Sequence, residues 1–113
     1  MSKYIPDPLR LFGALGHPTR TAVVQQLCRR PETVSRLAAP HRMALPSFVQ
    51  HLRVLEDAWW IRTHKRGRVR TCEINADALQ ASAQWLLEQR ALWEQRLDRH
   101  DAYLLTLHDG NHP

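Results

Sequence analysis

Apolar positions along the first half of the chain recur at helical spacing. Leu9, Leu11, Phe12 and Leu15 share one face over residues 8–15, and Gly16 closes that stretch. His17-Pro18 restarts the chain, with Pro18 suited to a helical first turn. Residues 19–28 then form a second helix with Val23, Val24 and Leu27 inward, closed by Arg29, Arg30 and Pro31. A short third helix over 33–39 places Val34, Leu37 and Ala38 on its apolar side and stops at Pro40. Met43 anchors the turn that follows. A fourth helix over 45–58 carries Phe48, Leu52 and Leu55 inward, flanked by Val49, and is polar on its outer face. Two short helices joined by a tight turn have the outline of a helix-turn-helix.

The rhythm then changes. Residues 60–64 and 69–74 are two strand-like runs around Lys65-Arg66-Gly67-Arg68, where Gly67 supplies the positive φ of a tight hairpin turn. From about Asp77 to Leu107 a long helical pattern follows. Leu79, Ala83, Leu86, Arg90, Trp93, Leu97, His100, Leu104 and Leu107 alternate by three and four, a heptad-like stripe interrupted by Arg90 and His100. At 1.5 Å per residue that helix is about 46 Å long. It is too long to bury its stripe on so small a body, so a second chain is its natural partner. The fold class expected is therefore mainly α with a β-hairpin wing. One domain spans 1–113, with a body over 8–75 and a C-terminal dimerisation helix over 76–107.

Composition narrows the class. With 113 residues the chain fits one domain, and a core this small often gains stability by pairing. Two cysteines make no disulfide framework, which points to a reducing cytoplasm. Residues 1–8 hold no apolar leader core, and no apolar run approaches the length of a membrane span. The net charge of +5 is unevenly spread: 13 Lys+Arg face 5 Asp+Glu in residues 1–75, against 3 and 6 in residues 76–113. A basic body with a mildly acidic tail suits a polyanionic partner for the body.

This order of elements resembles the winged helix-turn-helix repressors of the ArsR/SmtB family. The resemblance covers roughly residues 8–107. It rests on Leu15-Gly16-His17-Pro18-Thr19-Arg20, on Phe48-Val49-Gln50-His51-Leu52-Arg53-Val54-Leu55-Glu56 and on Lys65-Arg66-Gly67-Arg68-Val69-Arg70. The tail, with Trp85-Leu86, Gln89-Arg90, Trp93-Glu94, Arg96-Leu97-Asp98 and Tyr103-Leu104, is similar to a branch without obvious metal ligands. The resemblance implies a cytoplasmic, dimeric, sequence-specific binder of double-stranded DNA that represses its own operon.

The residue chemistry agrees. The N-terminal half of the fourth helix would enter the major groove, with Ser47, Gln50 and His51 as hydrogen-bonding groups for base edges and Leu45 and Pro46 for a thymine methyl. Lys65, Arg66, Arg68 and Arg70 in the wing, with Arg62 at its base, suit phosphates or the minor groove, and Arg36, Arg42 and Arg53 are candidates for phosphates framing the helix. Leu86, Trp93, Leu97, His100 and Leu104, with Leu9, Leu11 and Phe12 of the first helix, are expected at the dimer contact.

Three features depart from the family pattern. Ala44 stands where a small polar N-cap is common, Trp59 where a glycine usually follows the helix, and His100 at a leucine position. Metal-sensing members carry a Cys-x-Cys in the third helix or an Asp-x-His with a second His-x-x-Glu/His half. Residues 33–42 contain no cysteine. Asp98-Arg99-His100 gives the first half of the second pattern, but Asn111 and His112 do not complete it and His108 lies off register. No metal or cofactor is expected. The half-pattern at Asp98-Arg99-His100 and the pair Cys28 and Cys72 leave a metal- or redox-sensing repressor as an alternative, and an interaction adaptor that has lost DNA binding is another, disfavoured by the basic wing. An enzyme is not expected, because His-Glu-x-x-His, Gly-x-Ser-x-Gly and phosphate-loop patterns are all missing.

Overall fold

The computed structural model describes residues 7–110, with side-chain surroundings given to residue 106. Asp7 Oδ1 accepts from the Leu9 amide at 3.1 Å and starts α1 (Pro8–Ala14), which buries Leu11 and Ala14. His17 caps α2 (Pro18–Arg29) by accepting from the Thr19 amide at 3.1 Å, and Thr19, Val23, Val24 and Leu27 of that helix are buried. The chain leaves α2 in an extended conformation at Arg30 and forms β1 (Glu32–Thr33), a two-residue strand that no period-two pattern announces. Thr33 then turns the backbone into α3 (Val34–Ala38), its Oγ1 accepting from the Arg36 amide at 3.2 Å.

The fourth helix, α4 (Leu45–Asp57), begins at Ala44 without a side-chain cap, with proline in its first turn. Its buried stripe is Phe48, Leu52 and Leu55, as the spacing predicts. It ends at Ala58, and Trp59 adopts φ 73°, the only positive φ at a non-glycine among the described residues. The Trp59 amide donates to the Glu56 carbonyl at 3.0 Å and the Trp60 amide to the Leu55 carbonyl at 2.9 Å. This paired arrangement closes a helix around a left-handed residue, the place glycine usually holds. The turn keeps its usual shape, and the tryptophan accepts the left-handed conformation. Asn75 reinforces it, its Nδ2 donating to the Trp59 carbonyl at 2.8 Å.

The hairpin comprises β2 (Ile61–Arg66) and β3 (Val69–Ile74), which pair antiparallel from Ile61↔Ile74 to Arg66↔Val69. Lys65 and Arg66 lie in the strand, not in the turn, which consists of Gly67 and Arg68. Gly67 takes φ 62°, fitting a two-residue hairpin turn with glycine first. β1 adds to the other edge of β3 through Glu32↔Cys72 and Thr33↔Thr71, giving the order β1-β3-β2. Glu32 is buried there and held by Arg30 at 3.4 Å and Arg36 at 3.8 Å.

The last helix, α5 (Ala76–Gly110), starts where Asn75 Oδ1 accepts from the Asp77 amide at 3.2 Å. Its opening turns belong to the body: Ala78 and Ser82 are buried and Ala81 packs on the core. The chain divides into two units after Ser82, some way into α5. The body core gathers Leu11, Val23, Leu27, Leu37, Phe48, Leu55, Ile61 and Cys72, all nearly or fully excluded from solvent.

The second unit, from Ala83 on, is helical through Gly110 and exposed over residues 83–106. Leu86, Trp93, Leu97 and Leu104 of the stripe are all open to solvent, Trp93 at 54%. So are Leu87, Leu92, Tyr103 and Leu105 beside it. Arg90 pairs with Glu94 at 2.9 Å, and the Arg96 guanidinium sits 5.6 Å over the Trp93 ring. His100 is exposed. The expected ends of the tail pattern, the side chains of Leu107 and His108 and residues 111–112, lie outside the described residues.

Candidate nucleic-acid interface

Burying Phe48, Leu52 and Leu55 leaves the opposite face of α4 to solvent. Leu45 (56% exposed), Pro46, Ser47 and Gln50 all lie on that free surface at the helix start, together with Arg53 one turn later. No side chain caps the α4 N-terminus, so its first amides remain available, and helix N-termini favour anions.

The wing lies beside this face. Along β2 and β3, Ile61 and Cys72 are buried against the body. Period-two alternation puts Lys65 and Arg70 on that same side but beyond the body's edge. Lys65 and Arg70 are also directly opposite each other in the ladder. Like charges so placed repel, at a cost of a few tenths of a kcal/mol in the free protein. That arrangement is one a polyanion would relieve. A cleft of about 460 Å³ separates the wing from α3 and α4. Ser35, Arg53, Thr63, Arg68 and Arg70 border it, and Val49 contributes to its floor. Its one carboxylate, Glu56, is engaged by the Thr63 hydroxyl, which donates at 2.6 Å.

Among the described residues no ion pair engages Arg42, Arg53, Lys65, Arg66, Arg68 or Arg70, and all are exposed. Arg36 is exposed but reaches back to buried Glu32. Arg62 is occupied at the wing base, with Nη2 3.4 Å from Asn75 Oδ1 and 4.0 Å from Asp77 Oδ2. On the outer wing face His64 meets Glu73 at 2.8 Å.

Two expected site residues point elsewhere. His51 does not join Ser47 and Gln50. One position further round α4, it is half-buried against α2, with Nδ1 3.0 Å from Arg20 Nη1 and its ring 4.2 Å from that of His17. Burial first, then His17, Arg20 and His41, hold its imidazole below the usual histidine value. Leu11, expected at a dimer contact, is fully buried in its own chain's core, because α1 turns that side onto α4. Leu9 of the same helix is exposed and Phe12 half-buried. Sequence reasoning passed over Arg20 and Asn75. Arg20 closes the Leu15–Arg20 motif, and Asn75 stands directly before a helix, so an N-cap pattern was the available signal.

The two cysteines differ. Cys28 is exposed at the end of α2. Cys72 is buried, and burial, then Glu56, against a smaller opposing effect of Arg70, pushes its thiol up to about 11. It stays protonated and unreactive in the folded chain. Among the described residues no group of three or more His, Cys, Asp or Glu is arranged to hold a metal ion, and no helix is long and apolar enough to cross a membrane.

No protein-family model matches the chain. It is 30% identical over 77 residues to the transcriptional repressor SdpR of Bacillus subtilis (strain 168), covering 68% of this chain and 86% of that protein. A crystal structure of an ArsR family transcriptional regulator is 56% identical, with a TM-score of 0.72, covering 76% of this chain and 89% of the other. A solution structure from Mycobacterium bovis, described as a homodimeric winged helix-turn-helix DNA-binding domain, shares the fold at 17% identity. Its TM-score is 0.58, over 74% of this chain and 80% of that one.

Proposed function

The chain belongs to the ArsR family of transcriptional regulators, and we propose that it is a homodimeric repressor that binds an inverted-repeat operator of its own operon in the cytoplasm. The observation that carries this reading is the shared exposure of the α4 start and of wing cations that no ion pair engages among the described residues, with Arg53 of α4 and Arg68 and Arg70 of the wing bordering one cleft. Ser47 and Gln50 read base edges, with glutamine able to address adenine through two hydrogen bonds. Leu45 and Pro46 meet thymine methyl groups. Arg53, Lys65, Arg66, Arg68 and Arg70 neutralise phosphates, with Arg42 and Arg36 at the flank.

Dimerisation follows from the second unit. Leu86, Trp93, Leu97 and Leu104 form an apolar surface unusual for a monomer, and a second copy of α5 covers it; the Mycobacterium bovis domain that shares the fold is described as homodimeric. A two-fold axis then sets the half-sites about 10 base pairs apart, or a multiple of that. The role is regulatory and no catalytic activity is assigned.

The test is a gel shift with DNA from upstream of the chain's own coding sequence, with and without excess nonspecific DNA. A retarded band that survives the competitor supports the reading. Binding abolished by competitor, or none at all, overturns it.

A further inference from the structure

A polar clasp ties the recognition helix to the body behind its DNA-facing surface. Arg20 Nε donates to the Ala14 carbonyl at 2.6 Å, fixing the guanidinium at the end of α1. Its Nη1 reaches His51 Nδ1, in α4, at 3.0 Å. A guanidinium only donates, so Nδ1 accepts and the neutral ring carries its proton on Nε2. The His51 ring lies against that of His17, whose own Nδ1 is occupied in accepting from the Thr19 amide. One contact set thus joins α1, the start of α2 and the middle of α4.

The surroundings are one-sided. The groups facing His51 are His17 from the α2 cap, Arg20 from α2 and His41 from the turn before α4, whose ring also lies 5.2 Å from Phe48. None is a carboxylate. From α1 only the Ala14 carbonyl takes part, through Arg20; Arg10 and Asp57 border a different cleft, beside Gly13 and Ala58. A proton taken from solvent onto Nδ1 would convert the acceptor into a donor aimed at another donor. It would also add a cation beside Arg20. The bond to Arg20 would be lost and repulsion would replace it.

Resting on the DNA-binding reading above, we propose that the Arg20–His51 clasp holds α4 in its operator-binding pose, with His51 as a positioning residue, and that protonation of His51 releases the clasp and lowers operator affinity in acid. Burial and cationic neighbours together keep His51 neutral near pH 7, so the clasp is closed under ordinary conditions and opens only below the usual histidine range.

Fluorescence anisotropy of the full chain on its operator, at fixed ionic strength from about pH 8 down to about pH 5.5, tests this. Three proteins are compared: wild type, His51→Asn and His51→Ala. Asparagine places Oδ1 near the position of Nδ1 and accepts from Arg20 without titrating. The other histidines are retained in all three proteins, so a difference between the profiles depends on the residue at position 51. Relative to His51→Asn, the wild type should lose affinity by up to about tenfold per pH unit for each protomer below the His51 midpoint. His51→Ala should bind more weakly than His51→Asn at every pH while keeping its helical circular dichroism. A constant ratio of wild type to His51→Asn, or a wild-type gain in acid, overturns the proposal.

A second readout needs no variant. By reciprocity, saturating operator must lower the His51 titration midpoint followed by NMR. A midpoint unmoved or raised by operator overturns the clasp as a switch. If no protein binds operator at any pH, the DNA-binding reading itself fails. If all bind with parallel profiles, only the clasp fails.

Discussion

The indole Nε1 of Trp60 donates a 2.7 Å hydrogen bond to the carbonyl of Leu11, 49 residues away in sequence. Both residues are buried. Trp60 leads directly into the wing and Leu11 lies in α1, so this single bond pins the wing root to the first helix. Trp60→Phe keeps an aromatic ring and leaves that carbonyl without its partner. The expected loss is about 1–3 kcal/mol in chemical denaturation. An unchanged midpoint would mean that water replaces the indole.

Base reading and phosphate contact separate by mutation. Gln50→Ala should relax base preference at one position in each half-site, costing about 1–3 kcal/mol per half-site, measured against operators substituted at single positions. Arg66→Ala or Arg68→Ala should weaken all sequences alike and flatten the slope of log affinity against log salt. A Gln50→Ala protein with unaltered preference would show that α4 docks otherwise.

Trp59 carries a left-handed backbone at a place glycine would occupy without cost, and the residue is 39% exposed. Trp59→Gly and Trp59→Ala both remove the ring, so their difference isolates the backbone. The glycine variant should be the more stable of the two by about 1 kcal/mol in thermal melts. Equal stability would indicate that the turn changes shape once the ring is gone.

The α5 surface predicts assembly. Trp93→Glu combined with Leu97→Glu places charge on the exposed apolar stripe and should convert a dimer to a monomer in sedimentation, with the body still folded. A double variant that sediments as wild type would place the dimer contact elsewhere.

Thiol chemistry should split by location. In the folded chain one equivalent of an alkylating reagent should react promptly, at exposed Cys28. Cys72, buried and raised to about 11, should react only after unfolding. Two fast equivalents in native buffer would contradict the burial of Cys72.

Much of this architecture was legible because burial imposes a period. Phe48, Leu52 and Leu55 repeat at helical spacing, and Gly67 marks the hairpin, so α4 and the wing followed from local rules. β1 was not legible: two residues cannot display a period, and Glu32 enters the sheet only because β3 offers a free edge at Cys72 and Thr71. His51 was misplaced for a related reason. It neighbours Gln50 in sequence, and helical geometry turns it roughly 100° away, towards a partner, Arg20, that lies 31 residues earlier. Polar side chains on the boundary between the two faces take their direction from tertiary contacts. The Lys65–Arg70 opposition needed the register, which follows from a turn two residues shorter on its N-terminal side than the basic run suggested.

The unequal lengths of the three strands give the wing a gradient of stiffness. β1 covers β3 only at Thr71 and Cys72, so the sheet is three strands wide at its middle, opposite Thr63 and His64, and a bare two-stranded ribbon from Lys65 and Arg70 to the Gly67 tip. Isolated ribbons of that kind are weakly stable. Hydrogen–deuterium exchange should therefore be slow at Cys72 and accelerate over a few residues towards Arg68. In the proposed DNA complex the arginines at the tip would then adjust to the width of the groove, while the root keeps its fixed bearing on α4.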